Sequence, residues 1–296
     1  SYICINYFSE YGRKYLHFSG DLMWIGVAMH KNSLTQLCAF TIFFLIWTFV
    51  RRRKGKSVAV SKYQTYLEIF ILLLSLWMMG GPYHNFTYSA TATTALIMGL
   101  LMLTVFVQRK KWGSIPGPAI LMALIIIVIL YGTVTPFVGK LSIIDISSVA
   151  GRQENLTGRT DVWAELVPVA MQRSLIGHGY AGFWTTKTRE AFDIPTAHNG
   201  YLELILTLGF VGLALYSLFL VFNIRRAHQM LLREFDWGVF WICTLAMALV
   251  SNITESLFNT FESRMMAVIL FLTFSFTKYA SSNQEDTPKT TEGNNI

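Results

Sequence analysis

A histidine, two arginines and one glutamate are the residues of this sequence best suited to chemistry. His198 stands in Ala197-His198-Asn199-Gly200-Tyr201-Leu202-Glu203. An imidazole with an unperturbed pKa near about 6.5 can take a proton at neutral pH. At the mouth of an apolar helix it can equally be an interfacial anchor. Glu203 is costly to bury in an apolar helix and is a functional candidate on that ground. Its spacing does not put it on the face of His198. Arg152 and Arg159 each follow a glycine, in Gly151-Arg152 and Gly158-Arg159. A guanidinium fork beside free backbone N–H groups suits phosphate oxygens. Taken singly, either arginine reads as a solvated charge, and Asp161 can neutralise Arg159 locally. Gly177-His178-Gly179-Tyr180 reads as a tight turn, structural or approaching a ligand, and His178 is a rival base.

Stepping outward from these residues, the chain is apolar. Hydrophobic residues make up 53% of its 296 positions and charged ones 14%, against about 25% charged in soluble domains. The charges are clumped, leaving long uncharged runs such as Asn32 to Val50, Ile69 to Gln108 and Trp237 to Thr254. A helix needs about 20 apolar residues to cross a bilayer. Spans are expected near 33–50, 64–80, 89–107, 117–138, 199–222, 238–254 and 263–278. The expected fold is all-α, a polytopic transmembrane bundle of about seven spans with one large extracytoplasmic loop. Within that loop, Trp163, Leu166, Val167, Ala170 and Met171 recur at helical spacing. They predict an amphipathic helix from about Thr160 to Arg173, capped by Thr160, its apolar face on the membrane or on the span tops.

Basic residues follow the first, third and fifth spans: Arg51 to Lys54, Arg109 to Lys111, and Arg225-Arg226. Cytoplasmic loops carry such excess, and this topology accounts for the +7 net charge without nucleic acid. The chain then divides into 1–138 (an outer stretch and four spans), a catalytic loop 139–198, three spans in 199–279, and a tail 280–296. The tail is expected to be disordered and cytoplasmic. With Ser1 outside, further spans are expected upstream. Cys4, Cys38 and Cys243 are far apart and predict neither a disulfide nor a metal site.

Gly158-Arg159-Thr160-Asp161-Val162-Trp163, Leu175-Ile176-Gly177-His178-Gly179-Tyr180 and Ala197-His198-Asn199-Gly200-Tyr201-Leu202-Glu203, followed by Leu208-Gly209-Phe210-Val211-Gly212, resemble the O-antigen ligase and polymerase family. That family includes exopolysaccharide polymerases. Gly26 to Asn32 resembles its G-x-x-x-x-K-N stretch, which brings in Lys31, and the likeness runs from about residue 24 to 275. The resemblance implies a multi-pass enzyme of the bacterial inner membrane. Such an enzyme transfers a glycan from an undecaprenyl-diphosphate carrier to an acceptor hydroxyl, on a glycan or a lipid A core. Membrane lipid and other polysaccharide assembly proteins are its implied partners, and no nucleotide or metal cofactor is implied. The family's glycine-arginine pair falls on Gly158-Arg159, implying diphosphate binding, and its histidine-asparagine pair on His198-Asn199, implying the base. Arg152 has no counterpart there.

Two departures stand out. Thr87 to Thr94 carries no basic residue where many ligases have an arginine, so Lys31, Arg152 or Arg264 would have to supply that contact. Ser174 occupies a position usually held by proline. The rival readings are a transporter or flippase of lipid-linked glycan, which needs no base at His198, and a non-catalytic subunit of a polysaccharide assembly complex.

Overall fold

The computed structural model describes residues 1–15, 20, 22–28, 30–53, 55, 61–82, 86–109, 117–138, 154–194, 196–256 and 266–275. Arg152, Arg264 and the 280–296 tail lie outside them. The described chain is helical apart from one two-stranded ribbon. Two short helices, α1 (Tyr2–Tyr7) and α2 (Ser9–Gly12), precede β1 (Arg13–Tyr15) and β2 (Leu22–Trp24). The strands pair antiparallel with Lys14 opposite Met23. The long helices are α3 (Lys31–Arg53), α4 (Lys62–Met79), α5 (Ala90–Arg109), α6 (Gly117–Val138) and α7 (Glu154–Gln172). After the short α8 (Thr186–Phe192) come α9 (Gly200–Arg233), α10 (Phe235–Thr254) and α11 (Met266–Ser275).

Among the described residues, four helices, Lys31–Arg53, Ala90–Gln108, Gly200–Arg233 and Phe235–Thr254, are long and apolar enough to cross a membrane. α10 is the centre of the bundle. It packs chiefly on α5 and α9, and also on α6, while α3 joins α4 to α5. Every residue of α10 from Gly238 to Leu249 is buried. The outward faces of the other spans carry exposed Leu, Ile, Val and Phe, among them Phe70, Leu101, Leu215 and Leu218. A water-facing surface would not keep such a belt, whereas hydrocarbon would. The fold is therefore an all-α polytopic membrane bundle.

Its two ends differ in chemistry. Arg51, Arg52, Arg225 and Arg226 share the end at which α3 and α9 finish. There Arg51 lies between Trp47 and Trp237, 5.6 and 5.3 Å from their rings. The Trp47 indole N–H donates to the Asp236 carbonyl at 3.0 Å, and Arg52 grips Glu68 of α4 with both nitrogens of its fork. Cation and aromatic together suit a membrane–water boundary. The opposite end gathers the start of α3, the start of α5, the start of α9 and the finish of α10. It is partly covered by residues 1–15 and 22–28, where Trp24 packs on Trp77 at 4.5 Å and the Trp24 backbone N–H donates to the Tyr88 hydroxyl.

The predicted loop helix begins earlier than expected. α7 starts at Glu154, so Thr160 is not its N-cap, and Arg159 lies inside the second turn rather than before the helix. The free N–H groups of the helix start therefore lie a turn away from the guanidinium, and the expectation that the two meet one phosphate does not apply. Gly158 disguises the start because glycine is a poor helix former. Pro168 is accommodated inside the helix. The apolar face does not lie flat on the membrane. Trp163, Leu166 and Ala170 pack against Leu202, Ile205 and Leu206 of α9, with Phe183, Trp184 and Ala197 closing the cluster.

Candidate functional site

The sequence candidates divide between two places. At the first, Asn199 caps α9, its side-chain oxygen accepting from the N–H groups of Tyr201 and Leu202 at 2.9 Å each. Its amide donates to the Gly132 carbonyl of α6 at 3.0 Å. Two residues earlier, Ala197 is fixed from both sides. Its N–H donates to Glu203 Oε2 at 2.7 Å and its carbonyl accepts from the Trp163 indole at 2.8 Å. Between these clamps His198 adopts φ of 49°, an uncommon conformation for a residue with a side chain. The clamps on each side hold that strain and aim the ring.

Glu203 is thus a buried latch. It also accepts from the Trp184 indole and, at 3.4 Å, from the Ser256 hydroxyl, which ties the returning loop to α9.

The carboxylate that does face His198 is Glu255, which sequence reasoning passed over. It is the first residue after α10, with a side chain 15% exposed. Its Oε2 lies 3.8 Å from the buried Nδ1 of His198, longer than a hydrogen bond. Its Oε1 accepts from the Asn32 amide at 2.6 Å and lies 3.4 Å from an Arg159 guanidinium nitrogen. The second arm of the Arg159 fork donates to the Thr254 carbonyl at 2.7 Å. Burial alone would raise the pKa of Glu255, but the contact and charge of His198, the Arg159 charge and the Asn32 amide outweigh it. The carboxyl is held below its usual range and is ionised at neutral pH.

Around this centre, Ser89 donates to Asn32 Oδ1 at 3.4 Å, and Thr91 and Thr254 share a hydrogen bond of 2.6 Å. The hydroxyl-rich opening of α5 is therefore part of the site although it carries no base. Lys31 stands over the Tyr88 ring at 5.3 Å. His30 is a second imidazole near Glu255. Partial burial lowers its pKa, Glu255 pulls it back up, and His198, Lys14 and Lys31 add to the lowering.

The second place is the glycine turn. Gly177, His178 and Gly179 are not gathered with Arg159 and His198. They meet α9 at Gly209, where the helix is broken with φ of 66° and ψ of −165°, a region open only to glycine. In an intact helix the N–H groups of Phe210 and Val211 would bond to the carbonyls of Leu206 and Thr207. Here those carbonyls accept from His178 and Gly179 at 2.9 and 2.8 Å, and those N–H groups donate to the carbonyls of Ser174 and Leu175 at 2.7 and 3.1 Å. The turn replaces what the break removes. A Cβ on Gly177 would sit 2.4 Å from the Thr207 backbone, and one on Gly209 2.3 Å from that of Leu175, so both glycines are needed for the approach. Ser174 contributes a carbonyl to the clasp, which a proline in its place would also offer. The His178 ring is turned inward, with Nε2 3.3 Å from the Val169 carbonyl and Phe183 at 5.2 Å.

The chain is 26% identical over 229 residues to the exopolysaccharide production protein ExoQ of Rhizobium meliloti. That alignment covers 68% of this chain and 46% of the relative, so the chain spans about half the length of the curated relative it matches. No solved structure matches it. The family model for O-antigen ligase matches residues 70–217, half of the chain and the part that carries Arg159 and His198, and the chain belongs to that family.

Proposed function

We propose that this chain forms the reacting centre of a membrane glycosyltransferase, which moves a glycan from a polyprenyl-diphosphate carrier to an acceptor hydroxyl. The observation that carries the proposal is the meeting of Arg159 and His198 on one buried, ionised carboxylate, Glu255. Three segments distant in sequence supply that cluster, and Asn32 brings in a fourth. A carboxylate facing Nδ1 selects the tautomer with the proton on that nitrogen and leaves Nε2 as the base, the logic of carboxylate–histidine pairs in acyl transfer. The contact of 3.8 Å is loose, as catalytic contacts often are before substrate arrives.

In the proposed reaction the acceptor hydroxyl gives its proton to His198 Nε2 and its oxygen bonds to the anomeric carbon. The bond from that carbon to the diphosphate oxygen breaks, and the electron pair leaves with the diphosphate. Arg159 meets that charge with a guanidinium held in place by Thr254 and Glu255. Fixed cations aimed at developing charge are a large catalytic term. A diphosphate is already a good leaving group, so the scheme needs no nucleotide, and it routes no step through a metal. The family and the ExoQ likeness support a role in joining or extending a polysaccharide. In this scheme the site faces away from the cytoplasm. Lys31 stands at the rim as a second cation for the diphosphate, and Arg152 is a further proposed partner.

The test is transfer by purified protein supplied with lipid-linked glycan and acceptor, in buffer with chelator and no nucleotide. His198→Ala should cut turnover by about 10²–10⁴-fold, the usual worth of a general base, while the lipid donor still binds. If the wild type instead turned over nothing but moved the donor across liposomes, and His198→Ala moved it equally well, a transporter would replace the enzyme.

A further inference from the structure

Residues 160–194 and 196–198, read from sequence as part of a loop in water, run down the side of α9 and back. Trp163 is level with Ala197, just before α9, through its indole hydrogen bond. One to two turns further on, Leu166 and Ala170 are packed with Leu202, Ile205 and Leu206. Ser174 to Gly179 are then hydrogen-bonded to Leu206, Thr207, Phe210 and Val211. α7 therefore travels alongside α9 in the same direction as far as the break at Gly209. The chain then turns and climbs, with Trp184 bonded to Glu203 and Ala197 back at the top.

Gly209 lies about 13 Å along the helix from Gly200, at 1.5 Å per residue. Gly200 is level with the outer end of α10, since a Cβ on it would collide with Asn252. α10 has 20 residues, about 30 Å, the thickness of the hydrocarbon layer. The turn thus reaches well below the end of the bundle.

Its composition fits that depth. Ser174 to Thr186 contains no Asp, Glu, Lys or Arg. Leu175, Ile176 and Tyr180 are 67%, 68% and 55% exposed. They adjoin Phe210 and Val211, which open the outward apolar face that α9 continues through Leu215 and Leu218. Non-helical backbone survives at membrane depth only when its polar groups are satisfied within protein, and the clasp with α9 does this on both sides. The nearest charge, Arg173, is exposed and has a stem long enough to reach the headgroups.

We infer that Ser174–Ala181 is a re-entrant wedge whose tip, Leu175, Ile176 and Tyr180, is embedded in the acyl chains of the leaflet on the His198 side. This rests on the membrane fold alone and stands or falls apart from the catalytic scheme.

The experiment places a nitroxide at Ile176 in the intact protein carrying Cys4→Ser, since Cys38 and Cys243 are buried. The protein is reconstituted in phosphatidylethanolamine–phosphatidylglycerol vesicles. A label at Leu215 marks the lipid-facing extreme and one at exposed Thr186 the aqueous extreme. Relaxation at Ile176 should be enhanced by oxygen over a water-soluble nickel chelate by the margin seen at Leu215. A label at Leu175 should repeat the result if Ile176 disturbs folding. A nickel response at both positions matching that of Thr186 would overturn the wedge.

Discussion

Glu255 is ionised with little water around it, and that fixes what its removal should do. Glu255→Gln keeps the shape but leaves Arg159 and His198 without their shared anion. Removing one partner of a fully buried pair costs about 3–5 kcal/mol, and with Arg159 23% exposed the loss should fall below that range. Transfer should fall well beyond what a small loss of fold explains, with Glu255→Asp recovering part of it. Thermal unfolding against pH gives a separate reading. A depressed carboxyl contributes stability that is present above its unfolded pKa and is lost as pH falls through its folded one. Wild type should therefore lose melting temperature on acidification below the ordinary carboxylate range, and Glu255→Gln should lose less over that window. Equal slopes would remove Glu255 as an ionised centre. Arg159→Lys keeps the charge but cannot span Thr254 and Glu255 with one planar fork, so activity should fall strongly, and Arg159→Ala further. Arg159 and His198 were legible from local motifs. Glu255 was not, because its partners are 57 and 96 residues away. The one available signal was its place as the first charge after the uncharged run Trp237 to Thr254.

Among elements, the clasp between the glycine turn and α9 carries the sharpest expectation. Gly209→Ala demands a backbone region closed to alanine and drives a Cβ into the Leu175 backbone. The break should heal into straight helix and release residues 174–182. Hydrogen–deuterium exchange should then rise across 174–182 and leave α10 unchanged; unchanged protection of His178 and Gly179 would show that the clasp does not hold the turn. Helix periodicity identified three of the five named residues of α7 as core-facing, since Trp163, Leu166 and Ala170 are buried, whereas Val167 is half-buried and Met171 is exposed. It misjudged the start and left open whether the face met the membrane or the span tops; the face packs on the upper turns of α9. Local propensity penalises Gly158, and only tertiary contact with α9 shows which apolar partner the face has.

At the scale of the whole molecule, the bundle separates its chemistry from its anchors. Arg51, Arg52, Arg225 and Arg226 gather at one end, while Arg159, His198 and Glu255 gather at the other. If the basic end is cytoplasmic, a cysteine at Thr186 should react with an impermeant thiol reagent applied to intact cells, and one at Lys54 should not. Labelling at position 54 from outside would invert the orientation and move the proposed reaction to the cytoplasm. The class of fold was legible because uncharged runs of span length have few other uses. The descent of the loop beside α9 was not, because an amphipathic stretch carries the same pattern whether it lies on water-facing helix tops or dips between lipid and protein.

The break in α9 also dictates an order of assembly. A lone helix in hydrocarbon cannot leave four backbone groups unpaired, each costing several kcal/mol, so a newly inserted α9 must first be continuous. Only when Ser174–Gly179 docks can Leu206, Thr207, Phe210 and Val211 exchange their helical partners for those of the turn. The kink is then a record of maturation, absent from the nascent span and acquired when the loop returns to it. A peptide of residues 197–234 in bilayers should accordingly be an unbroken helix, and the upper turns that carry His198 should gain their final direction last.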